Sequence, residues 1–120
     1  MWIFHVGGFL SVVESQADPS RLVVRSRDRD HLLPVVDALG GAIVELPLRD
    51  YRFRVNVDRR AFADWLRAQV LEIDYGNFKD AATAVIPTRI WSRLLHRIWS
   101  LCLEFQGESS KPQGGKAVRS

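Results

Sequence analysis

A seven-residue run, residues 51–57, alternates apolar and polar side chains without interruption. Because successive side chains of a β-strand point to opposite faces of its sheet, this period of two predicts a strand with one apolar and one polar face. We expect the apolar face to pack against helices and the polar face to point outward. The apolar positions are Tyr51, Phe53, Val55 and Val57, and the polar positions are Arg52, Arg54 and Asn56.

The remaining segments supply partners for this strand. Short β-forming runs predict strands over residues 2–6, 9–14, 22–27 and 42–46, with Gly7-Gly8 as the turn of the first hairpin. Helical spacing predicts helices over residues 31–39, 59–73 and 88–105, with a further helical turn over residues 79–84. The predicted caps are Asp28 or Asp30, Asp58, Asp74 or Asn77, and Thr88. The order β-β-β-α-β-β-α-α predicts an α+β fold, an antiparallel sheet of about five strands with helices on one face, partly ferredoxin-like.

Length and composition fit one folded domain followed by a tail. With 120 residues and 47% hydrophobic content the chain can bury a core, and we place the domain at residues 1–105. Residues 106–120 are rich in Gly, Ser and Lys and predict a disordered basic tail. The single cysteine, Cys102, excludes an intrachain disulfide and is expected to be buried. Without a signal peptide or an apolar span, we expect a cytoplasmic protein with no membrane partner.

Arginines on adjacent strands form the first candidate binding surface. Those expected on the open face of the sheet are Arg25, Arg27, Arg52 and Arg54. Guanidinium groups bind phosphate or carboxylate well, but sheets that bind single-stranded nucleic acid also carry stacking rings. His5 is the only ring that the alternation places with the arginines. The alternative is a solvated face whose arginines form ion pairs, with Glu14, Glu45 and Asp50 as partners.

The last predicted helix carries the second candidate surface. Its apolar stripe is Ile90, Leu94, Leu95, Ile98, Leu101, Cys102 and Phe105. The candidate contact residues outside the stripe are Arg89, Arg93 and Arg97, with His96 beside them, and Trp91 and Trp99 on one flank. Such a helix can dock a partner protein or nucleic acid, and an exposed tryptophan would favour a homodimer. The alternative is a helix that packs on the core and has an ordinary charged outer side.

The loop over residues 74–80 is the third candidate. Tyr75, Asn77 and Phe78 give it two rings, an amide and neighbouring charges, which is more than a simple connection requires. The alternative is structural, with the two rings filling a gap beside the sheet and Asn77 or Asp74 capping the next helix.

No pattern in the sequence favours an enzyme. The histidines His5, His31 and His96 have no cysteine or carboxylate at metal-ligand spacing. The Gly-Gly pairs lack the residues that a phosphate-binding loop requires. We therefore assign no catalytic residue, no metal site and no cofactor.

Five strings of the chain are distinctive together: MWIF at the start, FLSVV at residues 9–13, LVVRSR at 22–27, DYRFRV at 50–55 and IDYGNFK at 73–79. On these strings residues 2–80 resemble a family of small uncharacterised bacterial and phage proteins. The family has no established activity, so the resemblance implies no site residues. Its members usually end in a helix with Tyr and Trp, whereas here Trp91 and Trp99 stand in a longer, Arg-rich helix.

From these features we expect a non-enzymatic binding or accessory module that acts through protein contact, with an unknown partner or with itself as a homodimer. The alternative is a nucleic-acid-binding protein that uses the arginines of the sheet face and of the last helix. A third hypothesis, a phage-type inhibitor of a host defence nuclease, follows from the size of the chain and from the resemblance.

Overall fold

The computed structural model describes residues 1–111. The chain divides into two compact units, Met1–Ile86 and Pro87–Ser120. The first unit holds the sheet and the second holds one long helix. The single domain over residues 1–105 stays a prediction, and residues 112–120 of the predicted tail lie outside the described residues.

The first unit is an α+β fold built on a five-stranded antiparallel sheet, as predicted, with the strand order β1-β2-β3-β5-β4. The strands are β1 (Trp2–His5), β2 (Gly8–Glu14), β3 (Arg21–Ser26), β4 (Val44–Glu45) and β5 (Phe53–Asp58). The helical elements are a 3-10 turn (Arg29–Leu32), α1 (Leu33–Leu39), α2 (Arg59–Leu71) and α3 (Phe78–Val85).

Strand β5 lies between β3 and β4 and is antiparallel to both. Strands β3 and β4 are therefore parallel to each other, connected through α1 and separated by one inserted strand. This is the split β-α-β arrangement of ferredoxin-like folds, and it confirms the predicted partial likeness.

One face of the sheet is covered by the 3-10 turn, α1 and α2. Val24 is the register partner of both Val12 and Val55, and all three are buried. The helical layer completes this core with Leu32, Val35, Phe62 and Trp65. Burial of one such side chain stabilises the fold by about 1.5–3 kcal/mol. The opposite face of the sheet carries Arg25 and Arg54, which are half-buried.

Capping side chains begin the helices at the predicted residues. The Asp58 carboxylate accepts a hydrogen bond from the Ala61 N–H at 3.0 Å. The Thr88 hydroxyl accepts one from the Trp91 N–H at 3.3 Å. Asp28 caps the 3-10 turn in the same way. These caps satisfy N–H groups that have no partner within the helix, which is why local sequence identifies them.

Tyr51 departs from the predicted alternation. Strand β5 begins only at Phe53, after a bend at residues 51–52. The Tyr51 ring lies 6.4 Å from that of Phe9, which is on the face opposite Val55. The prediction that Tyr51 faces the helices is wrong because alternation holds only where the backbone is extended.

The first hairpin turns one residue earlier than predicted. His5 and Gly8 are register partners, so Val6 and Gly7 form the turn. Gly8 has a φ of 140°, and a Cβ at this position would lie 2.3 Å from Cγ of His31. Glycine is required at position 8 because the imidazole packs directly on the backbone.

The second unit contains α4 (Arg89–Ser109), which extends beyond the predicted end at residue 105. Residues 106–109 are therefore helical, and their assignment to a disordered tail is wrong. The buried residues of α4 are Trp91 and Leu95. Cys102 is exposed, so the prediction of a buried thiol is also wrong. The apolar stripe continues to Phe105, which is exposed.

Candidate functional site

The open face of the sheet carries two arginines directly opposite each other. Arg25 on β3 and Arg54 on β5 are register partners, and such opposed side chains have Cβ atoms about 4.5–5.5 Å apart. Both residues are half-buried. The Nε of each is buried and has no hydrogen-bond partner within residues 1–111. Like charges in this arrangement destabilise a sheet, and a bound anion would relieve the repulsion.

The nearby carboxylates bind other arginines. These ion pairs are Arg27–Asp50 at 3.2 Å, Arg52–Glu45 at 2.7 Å and Arg59–Glu14. Arg25 instead donates to the Ser11 hydroxyl at 2.7 Å, and Arg54 donates to the Tyr51 carbonyl at 3.4 Å. The ion-pair alternative is thus confirmed for two of the four predicted arginines. It fails for the opposed pair, which has no carboxylate partner in the described part of the chain.

The Tyr51 ring lies against two guanidinium groups. Its centroid is 4.6 Å from Cζ of Arg25 and 4.3 Å from Cζ of Arg27. Each cation–π contact contributes roughly 0.5–1 kcal/mol, and more where water is excluded. Tyr51 is itself buried, so its ring restricts the positions of both guanidinium groups.

A row of aromatic rings continues from Tyr51 to the edge of the sheet. Phe9 lies beside Tyr51, and Phe4 stacks on Phe9 with ring centroids 4.4 Å apart. Trp2 meets Phe9 edge-on at 5.7 Å and is 70% exposed. In proteins that bind single-stranded nucleic acids, the bases stack on accessible aromatic rings that lie near cationic groups.

A cleft of about 560 Å³ opens beside the opposed arginines. One wall is the end of β2 with the turn that follows it, including Gln16, and the other is the loop before β5, including Arg49. Arg25 and Arg54 both line it. This volume is within the range of small-ligand sites, about 300–1,000 Å³.

No family model matches this chain, and neither a curated protein nor a solved structure is significantly similar to it. The resemblance to bacterial and phage proteins therefore stays a prediction.

Arg52 does not join the opposed pair. Its partner Glu45 is the register partner of Phe53, whose side chain is on the face opposite Arg54. The prediction that four guanidinium groups share the open face is therefore wrong for Arg52. The two-residue strand β4 at the sheet edge brings Glu45 within hydrogen-bonding distance of Arg52. The alternation of residues 51–57 alone cannot indicate this contact, because it depends on pairing with another strand.

Sequence reasoning missed the rings of the open face. In β1, Trp2 and Phe4 alternate with Ile3 and His5, and the register places Phe4 opposite Phe9. The alternation of residues 2–5 could have revealed these rings. A period of two places Trp2 and Phe4 on one face of the sheet, and Ile3 and His5 on the other.

His5 and His31, which no sequence pattern links, lie close to each other beside the first hairpin. Nδ1 of His5 accepts the Gly7 N–H at 3.0 Å, and Nδ1 of His31 accepts the Phe9 N–H at 3.2 Å. The His5 ring stands edge-on to Trp65 in the helical layer, so its predicted place among the arginines is wrong. Burial lowers the pKa of His5 to about 4, with His31 adding to the effect. Burial also lowers the pKa of His31.

The loop before α3 has at least one structural residue. The Asn77 side chain accepts the Asp80 N–H at 3.1 Å and caps α3, which confirms the capping alternative. The half-buried rings of Tyr75 and Phe78 contact each other with centroids 6.0 Å apart. Tyr75 also lines a cleft of about 300 Å³ with Glu72. A binding role for this loop stays a prediction.

The predicted contact residues of α4 divide into exposed and buried ones. The exposed basic residues are Arg89, Arg93, Arg97 and His96. Trp91 is buried and so does not present a contact surface, whereas Trp99 is 53% exposed.

Residues 1–111 contain no cluster of three or more His, Cys, Asp or Glu side chains able to hold a metal ion. In the same range no helix has the length and apolarity needed to cross a membrane. The sequence-based expectations about catalysis, cofactors and compartment stay predictions.

Proposed function

We propose that this protein is a binding module whose open sheet face takes up single-stranded nucleic acid. Phosphates would bind Arg25 and Arg54, and a base would stack on Trp2. The observation that carries the proposal is the opposed arginine pair, which has no carboxylate partner and lies in a cleft beside aromatic rings.

Phosphate satisfies this pair better than a protein carboxylate would. A phosphodiester offers oxygens to two guanidinium groups at once, and charge-assisted hydrogen bonds of this kind are roughly twice as strong as neutral ones. Successive phosphates along a strand can also reach Arg49 at the rim of the same cleft.

The aromatic row favours a single strand over a duplex. Rings on a sheet can stack only on bases that are not stacked within a helix. Trp2 is accessible, and the half-buried rings of Phe4 and Phe9 continue its surface toward the arginines. Stacking contributes about 1–3 kcal/mol per base and tolerates any sequence. We therefore expect weak sequence preference.

The test is binding of a fluorescein-labelled oligothymidylate of about 12 nucleotides, a length within the site sizes of about 4–16 nucleotides known for single-strand-binding OB folds. Fluorescence anisotropy should give a dissociation constant that rises with salt, with a log–log slope of about +0.7 per phosphate bound. The double variant R25Q/R54Q should raise this constant at least about tenfold.

Arg52→Gln is the matched control, because it removes a guanidinium group already held by Glu45. We expect this variant to change the dissociation constant less than about threefold, because an exposed ion pair contributes little energy. Binding that is absent at low salt, or that R52Q weakens as much as R25Q/R54Q does, would contradict the proposal.

Protein contact is a second candidate function, favoured by the exposed apolar residues of α4. Leu101 is 64% exposed and Phe105 is 70% exposed. Soluble proteins seldom leave such residues in a continuous stripe without an interaction partner.

A further inference from the structure

The exposed apolar residues of α4 follow a heptad. Leu94, Ile98, Leu101 and Phe105 are spaced alternately four and three residues apart. Each is exposed except Ile98, which is half-buried. This alternating spacing is that of the a and d positions in a two-helix coiled coil.

Charges beside this stripe are arranged for an antiparallel partner. With Ile98 and Phe105 at heptad position a, and Leu94 and Leu101 at d, Arg97 and Glu104 both occupy position g. In antiparallel pairing, where Ile98 packs against Leu101 of the other copy, the g positions of the two helices meet. Arg97 then lies beside Glu104 of the second copy, and the twofold symmetry repeats the pair.

Both charged side chains are free to make this contact. Arg97 and Glu104 are exposed and form no ion pair with another residue in the range 1–111. A parallel arrangement would instead place Arg97 beside Cys102 and would leave the two charges uncompensated.

We propose that α4 pairs antiparallel with α4 of a second copy, making the protein a homodimer through Leu94, Ile98, Leu101 and Phe105. The partner is a second copy because one helix supplies both the apolar stripe and the complementary charges. This contact lies on a different element from the proposed nucleic-acid site and does not depend on it.

The test is sedimentation equilibrium of the full chain between about 1 and 100 μM, the range in which a helix pair of this size is expected to associate. The wild type should reach twice the monomer mass of 13.7 kDa. R97E alone and E104R alone should each raise the dimer dissociation constant roughly tenfold, since each creates two like-charge contacts.

Charge exchange distinguishes the antiparallel dimer from other associations. The double variant R97E/E104R, and an equimolar mixture of R97E with E104R, should both recover dimerisation. Leu101→Ala should weaken the dimer, whereas Leu103→Ala is the control, because Leu103 is equally apolar and 51% exposed but outside the stripe. Circular dichroism should show unchanged helix content in all variants.

A wild type that stays monomeric at the highest concentration would overturn the proposal. A dimer that is indifferent to single charge reversal, or that fails to recover in the double variant, would overturn the antiparallel arrangement. Equal effects of Leu101→Ala and Leu103→Ala would exclude the stripe as the contact.

Discussion

Arg25 and Arg54 are register partners on neighbouring strands, and each donates its hydrogen bond to a neutral oxygen. The acceptors are the Ser11 hydroxyl and the Tyr51 carbonyl. Two cations therefore lie side by side in a partly buried cleft, and neither forms an ion pair within residues 1–111. The carboxylates that line the same cleft, Glu14 and Asp50, pair with Arg59 and Arg27 instead. Such an arrangement costs stability in the free protein and is suited to a ligand that supplies negative charge.

Relief of this repulsion should stabilise the free protein. We expect Arg54→Gln to raise the free energy of unfolding by about 0.2–1 kcal/mol, the size of a like-charge contact between strands. Urea denaturation in low salt measures this change. Arg52→Gln, which breaks an ion pair, should lower stability or leave it unchanged, and the opposite ranking of the two variants would refute the expectation.

The ring of Tyr51 should matter more than its hydroxyl. Tyr51→Leu removes two cation–π contacts and should lower the free energy of unfolding by about 1–2 kcal/mol. It should also weaken oligonucleotide binding, because Arg25 loses the surface that orients it. Tyr51→Phe keeps the ring and is the control. Thermal unfolding and anisotropy report both effects, and equal losses in the two variants would show that the ring contacts are unimportant.

Gly8→Ala should be strongly destabilising. The added Cβ would lie 2.3 Å from Cγ of His31, and the φ of 140° at Gly8 disfavours any side chain. We expect a loss of about 2–4 kcal/mol, as for other combined steric and backbone strains. Gly76→Ala is the matched control, since a Cβ there meets no atom within 4 Å. Urea denaturation should leave the control within about 0.5 kcal/mol of wild type.

Acid should destabilise the fold through the buried histidines. Since the pKa of His5 falls from 6.5 to about 4 on folding, the unfolded chain binds more protons between these values. Stability is therefore complete above pH 6.5 and is lost as the pH falls toward 4. His5 contributes at most about 3 kcal/mol to this loss. The residue is only 7% exposed, so solvent screens the effect little.

The measurement is urea denaturation at intervals between pH 7 and pH 4. His5→Phe should flatten the pH dependence, even if its stability at neutral pH differs from that of wild type. A slope unchanged in His5→Phe would assign the acid sensitivity to other groups.

Local signals in the sequence predicted much of the fold. The alternation of Phe53, Val55 and Val57 identified β5, and Asp58 and Thr88 identified two helix starts, because each signal depends only on adjacent residues. Tyr51 was misplaced because the bend before β5 leaves no pattern in the side chains. The approach of His5 to His31 is a tertiary contact, so no spacing in the sequence indicates it.

The candidate site was predictable in part. The period of two placed Arg25 and Arg54 on one face, but their register and the carboxylates near them depend on strand order. Which arginines are neutralised is decided by contacts across the sheet. The stripe of α4 was also visible, but hydrophobic spacing indicates which side of a helix avoids water and not what covers that side.

From the insertion of β5 between β3 and β4 we expect a preferred order of folding. Strands β1, β2 and β3 are consecutive neighbours and can form a meander from nearby residues. Pairing of β5 with β3 first requires closure of the crossover between them, an entropic cost that slows assembly. Strand β4, with two residues and a single neighbour, can join only after β5 is in place. We expect the meander to form early, and the amide protons of β4 to exchange fastest in the sheet.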